Sequence, residues 1–175
     1  MTNKVNLRIC NPGDENTLSL LGQSTFLESF AGLLDGNDIL GHCASQHSSI
    51  VYRGWLEHAN TKTWVAEIEP GNAPVGYLVL VPPILPIADS QVDDIEIKRL
   101  YLLHPFRGIG IGKRLMAEAL IDARNRNCRR VLLEVYAGNT GAIAFYQKLG
   151  FVNVGQRSFK VINNYYEHIT MALTL

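Results

Sequence analysis

Three glycines at alternate positions, in Arg107-Gly108-Ile109-Gly110-Ile111-Gly112-Lys113, join an extended apolar run to a helical one. Before them, Asp94 to Leu103 reads as a strand. After Pro105, Ile111, Leu115, Met116, Ala119, Leu120 and Ala123 recur at the three- and four-residue spacing of a helix. Glycines at such a junction let a ligand approach the backbone closely. They also leave the first-turn N–H groups of the helix facing outward, an anion site best suited to phosphate. Two common phosphate-binding motifs are excluded. A Walker loop needs Gly at 107 and Ser or Thr at 114, where this chain has Arg107 and Arg114. A dinucleotide fingerprint read from Gly108 meets Lys113 where it needs Gly, and read from Gly110 it meets Leu115.

The rest of the chain builds around that junction. Arg130 to Tyr136 reads as a strand and Thr140 to Leu149 as a short helix that Gly150 stops. Phe151 to Phe159 and His168 to Leu175 read as closing strands. Strand–helix–strand–helix–strand implies a crossover and a mixed sheet. In the first half, Val5 to Ile9 alternates as an opening strand, and Asp14 stands where it can cap a helix carrying Leu18, Leu21, Phe26 and Phe30. Gly32 to Ser49 shows no assignable element. Ser49 to His58 reads as a helix, and Thr63 to Ile68 and Val75 to Val81 as a hairpin. Along Asp94 to Leu103 the apolar phase moves from Ile95 and Ile97 to Leu100 and Leu102, as a β-bulge would make it, while the apolar Tyr101 and Leu103 leave a strand buried on both faces as the alternative. The expected fold is a single α/β (α+β) domain over 1–175, with a central mixed, twisted sheet of about six to seven strands flanked by helices.

Composition narrows the function. With 16 Lys and Arg against 16 Asp and Glu, the net charge is +0, which argues against a nucleic-acid-binding surface. The longest uncharged stretch, Pro70 to Ala88, holds Pro70, Pro74, Pro82, Pro83 and Pro86 and cannot be a membrane helix. Lys4 and Arg8 interrupt any apolar leader, so a cytoplasmic protein is expected. Cys10, Cys43 and Cys128 fit neither a disulfide framework nor a zinc site. The five histidines show no ligand spacing, so no metal is expected, and His42 and His47 read as solvated or locally bonded.

Arg107, Gly110 and Gly112 match the pattern Gln/Arg-x-x-Gly-x-Gly/Ala without a gap. With Ile97 to Pro105, Leu133-Glu134-Val135, Asn139, Ala142 to Tyr146 and Leu149-Gly150-Phe151, the chain resembles the GCN5-related N-acetyltransferases, densely from about Glu96 to Phe151. The acetyl-CoA-binding core implied is about 94–151. Thr25 to Phe30 and Ile169 to Leu173 resemble, less specifically, a bacterial branch that includes polyamine acetyltransferases.

The resemblance implies a role for each matching residue. Arg107, Gly108, Ile109, Gly110, Ile111, Gly112 and Lys113 hold the coenzyme pyrophosphate. Leu100, Tyr101 and Leu102 pair with the pantetheine arm, Leu102 offering an N–H to the thioester oxygen. Asn139 bonds the arm, and Tyr146 is the general acid for the departing thiolate. Glu96 and Glu134 are the candidate bases, Glu96 ahead. Glu28 and Phe30 are candidates for the acceptor site, and Glu28, Asp93, Asp94 and Glu96 for flanking a polyamine. The expected reaction is acetyl transfer from acetyl-CoA to a small primary amine, such as a polyamine, by direct attack. A protein or peptide N-terminal or lysine acetyltransferase, and a non-catalytic acyl-CoA-binding module, stand as alternatives; a homodimer is left open.

Overall fold

The computed structural model describes residues 4–175. The chain runs through strand β1 (Val5–Ile9), helices α1 (Glu15–Phe30), α2 (Gly36–Gln46) and α3 (Ser49–Glu57), and strands β2 (Lys62–Ile68), β3 (Ala73–Val81) and β4 (Asp94–Leu102). A 3₁₀ turn (His104–Phe106) leads into α4 (Ile111–Asn125), β5 (Arg130–Tyr136), α5 (Thr140–Lys148), β6 (Val152–Val161) and β7 (Asn164–Thr174). The strands form one seven-stranded mixed sheet in the order β1-β2-β3-β4-β5-β7-β6, parallel only between β4 and β5. The right-handed connection rule places a crossover helix between two such parallel strands, and α4 fills that role.

Each sheet face has its own core. Leu78, Leu80, Ile95, Ile97, Leu133, Val135 and Met171 pack against Ile111, Leu115, Met116, Ala119 and Ala123 of α4. On the other face Val65, Tyr77, Val79 and Val81 meet Leu18 and Leu21 of α1 and Tyr52 of α3.

Three local expectations need correction. Asp14 stands at the start of α1, but its carboxylate does not cap the helix; it accepts both ends of the Arg8 guanidinium at 2.8 Å. A cation in reach competes better for a carboxylate than a neutral amide does. Within Gly32 to Ser49 lies the helix α2, started by Asp35, whose carboxylate accepts the N–H groups of Asn37 and Asp38. Its polar, glycine-bearing sequence hides it, because it buries only a narrow apolar stripe that includes Ile39 and Cys43. The closing strands are longer than expected and meet in a tight turn at Ile162-Asn163. Asp38, itself fully buried, holds that turn. It accepts the Asn163 N–H at 3.0 Å, the Asn164 amide at 2.7 Å and the Tyr166 hydroxyl at 2.9 Å.

The β-bulge falls in β4. Val79 pairs with Arg99 and Leu80 with Ile97, so Lys98 is the extra residue. The bulge puts Ile95, Ile97, Leu100 and Leu102 on the α4 face and turns Arg99 and Tyr101 toward α1 and α3. The β4–β5 ladder ends at Ile97 and Leu133. Beyond it β4 stays with β3 and β5 stays with β7, so the two central strands part.

On the α1–α3 side, a buried chain of hydrogen bonds runs from His47 Nδ1 to the Tyr52 hydroxyl at 2.9 Å and on to the Tyr77 hydroxyl at 2.7 Å. Gly22 in α1 lies directly over it, where a Cβ would overlap both the Tyr52 hydroxyl and the His47 ring. Helix propensity favours Gly22→Ala by about 1 kcal/mol, whereas overpacking a rigid core costs about 1–3 kcal/mol. Net destabilisation of the variant is the expected outcome, read from the midpoint of urea unfolding; a midpoint at or above wild type would show that the chain of hydroxyls gives way.

Candidate active site

The parting of β4 and β5 opens a cleft of about 650 Å³ that runs through the sheet. Its rim on the α4 side is the glycine turn. Gly108 and Gly110 have φ of 77° and 92°, a left-handed backbone that glycine adopts without strain, and a Cβ on either would stand in open space. Gly110 is the N-cap of α4, so the N–H groups of Ile111, Gly112 and Lys113 have no partner within the helix. Among the expected turn residues, Gly108, Gly110, Gly112, Lys113 and Arg107 line the cleft. Ile109 is exposed and the Ile111 side chain is in the core, which leaves those two only backbone to offer.

One edge of β4 faces the cleft unpaired. The Leu103 N–H bonds the Val75 carbonyl at 2.9 Å, across to β3. Backbone groups alternate sides along an antiparallel strand, so Leu100 and Leu102 direct theirs away from β3, toward the space β5 has left. The Leu102 carbonyl already accepts the Arg107 Nε at 3.0 Å. Arg107 is thereby turned toward α1, its Nη2 on the Ser29 hydroxyl at 2.9 Å and 3.6 Å from Glu28.

Across the cleft, α5 presents Tyr146. The residue is buried, yet its hydroxyl makes no hydrogen bond with any other described residue and lies on the cleft wall. Burial, with a smaller contribution from Tyr101, pushes its pKa well above the usual phenol value. Asn139 caps α5, its Oδ1 accepting the Ala142 N–H at 3.1 Å, and its side chain also lines the cleft.

The other end of the cleft, between the sheet and α1–α2, is aromatic. Phe26, Phe30, His42 and His47 roof it, and Tyr136, Phe159 and His168 wall it. Of the two histidines read as solvated or locally bonded, His47 is buried and bonded locally to Tyr52, and His42 is half-buried against the Phe26 ring. Desolvation, reinforced by the positive charge of Arg99, brings their pKa values down to about 4 and about 2, so both rings are neutral at pH 7. No local sequence signal marks this end, because its residues converge from α1, α2, β4, β5, β6 and β7.

The Acetyltransferase (GNAT) family model matches residues 27–151, more than two thirds of the chain. The chain belongs to the GNAT acetyltransferase family. The N-acetyltransferase YjgM of Escherichia coli is 35% identical over 91 residues, covering 52% of this chain and 51% of that protein. The match thus spans about half the length of that relative. The PaiA N-acetyltransferase of Thermoplasma acidophilum, solved with coenzyme A, superposes with a TM-score of 0.79 at 18% identity over 98% of this chain and 99% of that one. A Bacillus anthracis acetyltransferase solved with acetyl coenzyme A has a TM-score of 0.60 at 27% identity, covering 71% of this chain and 68% of that one.

Within this GNAT fold the candidate carboxylates are all engaged. Glu96 lines the cleft, but its Oε2 accepts the N–H groups of Ile84 and Leu85 at 2.9 and 3.0 Å and its Oε1 takes Lys98 at 3.2 Å. Glu28 lies outside the cleft lining, its carboxylate accepting the His104 N–H at 2.7 Å. Asp94 is buried between Arg129 and Arg130. Asp93 lies beside it, 3.9 Å from Arg129. Glu134 lines the cleft as a bidentate partner of Arg157. Among the described residues, no group of three or more potential metal ligands comes together, and no helix is long and apolar enough to cross a membrane.

Glu134 carries a pH signature. Burial works against its ionisation, but His168 and Arg157 outweigh burial and bring its pKa down to about 2. A depressed carboxylate contributes stability above its unfolded pKa, about 4.3, and loses that contribution as pH falls through the folded value. Glu134→Gln is expected to cost on the order of 2 kcal/mol at pH 7, with the gap from wild type narrowing between pH 4 and pH 2. Urea unfolding at pH 7 and pH 3 measures it; an equal gap at both would mean that the Arg157 pair contributes nothing through charge.

Proposed function

We propose that this protein transfers the acetyl group of acetyl-CoA to a small primary amine by direct attack. One observation carries the reading: the unpaired edge of β4 faces an unbonded, protonated Tyr146 hydroxyl across a cleft whose mouth is the glycine turn. The N–H groups of Gly108 to Lys113 fit a pyrophosphate. The free backbone of Leu100 and Leu102 fits the amide groups of the pantetheine arm as an added strand. Asn139 keeps its side-chain N–H groups for the same arm.

The acceptor enters from the aromatic end as a neutral amine. A C–N bond forms at the thioester carbonyl, whose oxygen the Leu102 N–H is placed to polarise, and the C–S bond breaks. Tyr146 donates its proton to the departing sulfur. Burial raises its pKa, which keeps that proton in place at neutral pH. The nitrogen's surplus proton leaves toward Glu96, the cleft carboxylate that has no arginine partner. With pKa about 2, Glu134 is a poor proton acceptor and serves the site as a fixed charge.

A polyamine is the weaker acceptor choice, because the carboxylates expected to flank it already serve His104, Lys98, Arg129 and Arg130. Likewise, α2 and the β6–β7 turn cover the acceptor end and leave little room for a folded protein substrate. The free Tyr146 hydroxyl favours catalysis over simple acyl-CoA binding.

Tyr146→Phe is expected to keep the melting temperature and acetyl-CoA affinity while lowering kcat by about 10²–10⁴-fold. Wild-type kcat under single-turnover conditions would remove Tyr146 from the chemistry. Separately, Gly110→Val forces a β-branched residue to φ near 92°, which is expected to distort the turn and weaken acetyl-CoA binding by about tenfold or more. Unchanged affinity in a calorimetric titration would place the pyrophosphate elsewhere.

A further inference from the structure

Arg99 stands apart from the other charges around the cleft. It lines the acceptor end, is 8% exposed, and makes no ion pair among the described residues. Its guanidinium stacks on Trp55 at 4.6 Å and Tyr52 at 5.0 Å, and its Nη2 donates to the Gln46 carbonyl at the end of α2. Its Nη1 is buried with no hydrogen-bond partner. The aromatic faces and the helix carbonyl orient the group but supply no counter-charge, and an unpaired buried charge is costly. The neighbours that might have supplied one are engaged, Glu96 with Lys98 and two loop amides, Glu134 with Arg157. His42 and His47 are neutral.

We propose that Arg99 is the anchor for a carboxylate on the acceptor, so that the amine acetylated is that of an amino acid or closely related amino carboxylic acid. The proposal deepens the acetyltransferase reading and rests on it. A carboxylate matches the planar fork of a guanidinium in two hydrogen bonds, giving Nη1 its partner and the buried charge its counter-ion. The coenzyme is not the source of that anion. Its phosphates belong to the glycine turn at the N-terminus of α4, whereas Arg99 leaves β4 on the opposite face, under α3. The remaining walls, Phe26, Phe30, Tyr136 and Phe159, suit an apolar or aromatic body on the same molecule.

The test is acceptor-dependent coenzyme release with a panel of amino acids, each paired with the amine left by removing its carboxylate. L-phenylalanine against phenethylamine and L-leucine against isopentylamine belong to the panel, with spermidine alongside. At least one acid is expected to exceed its paired amine by about 10- to 100-fold in kcat/KM, the span of a hydrogen-bonded charge contact. In Arg99→Gln that ratio is expected to fall toward one. In Arg99→Lys, which keeps the charge without the fork, the ratio is expected to be intermediate; this variant carries the test if Arg99→Gln does not fold. A purely structural role for Arg99 would lower both members of a pair together and leave the ratio unchanged, and that outcome overturns the proposal. Paired amines or spermidine used as well as the acids would overturn it too, while leaving the acetyltransferase reading intact. No release with any acceptor, from protein that binds acetyl-CoA by calorimetry, would instead remove the acetyltransferase reading and this proposal with it.

Discussion

Everything functional in this molecule depends on where the β4–β5 ladder stops. A parallel pair in the middle of a sheet would ordinarily continue to the ends of both strands, since each missing rung leaves backbone donors and acceptors without partners. Here pairing ends at Ile97 and Leu133. The unpaired length of β4 carries the motif from Leu100 to Leu102, and the glycine turn follows it within a few residues. In the proposed reading, an extended ligand with its own amides completes the ladder there. The Lys98 bulge adds a second effect, since the one-residue slip aims Arg99 and Tyr101 at the acceptor end while Leu100 and Leu102 stay in contact with α4.

Two kinds of electrostatic arrangement coexist in the molecule. Several arginines are paired so completely that they act as fixed struts: Arg8 with Asp14 and Glu67, Arg130 with Asp89 and Asp94, Arg157 with Glu134. Such pairs hold β-strand ends and loops in register but have little proton affinity to exchange. Tyr146 and Arg99, both lining the cleft, are arranged differently. One is a hydroxyl with no protein partner that lines the cleft, the other a buried cation with no anion, and both belong to the same cleft. Buried groups left incomplete are where a ligand has most to gain by supplying what is missing.

The sequence made half of this site readable and left the other half dark, for a physical reason. The coenzyme end is local: a strand, a turn with glycines at fixed spacing, a helix cap and the start of α5 all fall between residues 94 and 151. Backbone chemistry dictates the residue types there, so Gly110 and the phase change around Lys98 could be read directly. The acceptor end is assembled from side chains far apart in the chain. His47 stands beside Arg99, and Asp38 grips Asn163 and Tyr166, across separations that no periodicity reports. For the same reason Arg99, inside the most recognisable stretch of the chain, showed no sign of its isolation: a missing partner is a property of the folded surroundings. Helix α2 carries a weak sequence signal because it is held by hydrogen bonds at its ends more than by a broad apolar face.

That manner of holding α2 has a consequence for how such a protein can change. The helix is fastened near its start by Asp38 to the β6–β7 turn, and at its end by the Gln46 carbonyl to Arg99 and the His47 carbonyl to the Ser19 hydroxyl. Between those fastenings its side chains roof the acceptor end without sharing in the core beneath α4. Apart from the buried Ile39 and Cys43 and the close-packed Gly41, the interior positions of α2 can therefore vary in size and polarity while the coenzyme end keeps its shape. The fold separates the part of the enzyme that must stay constant from the part that can be retuned, and the boundary between them is a single short helix tied down at both ends.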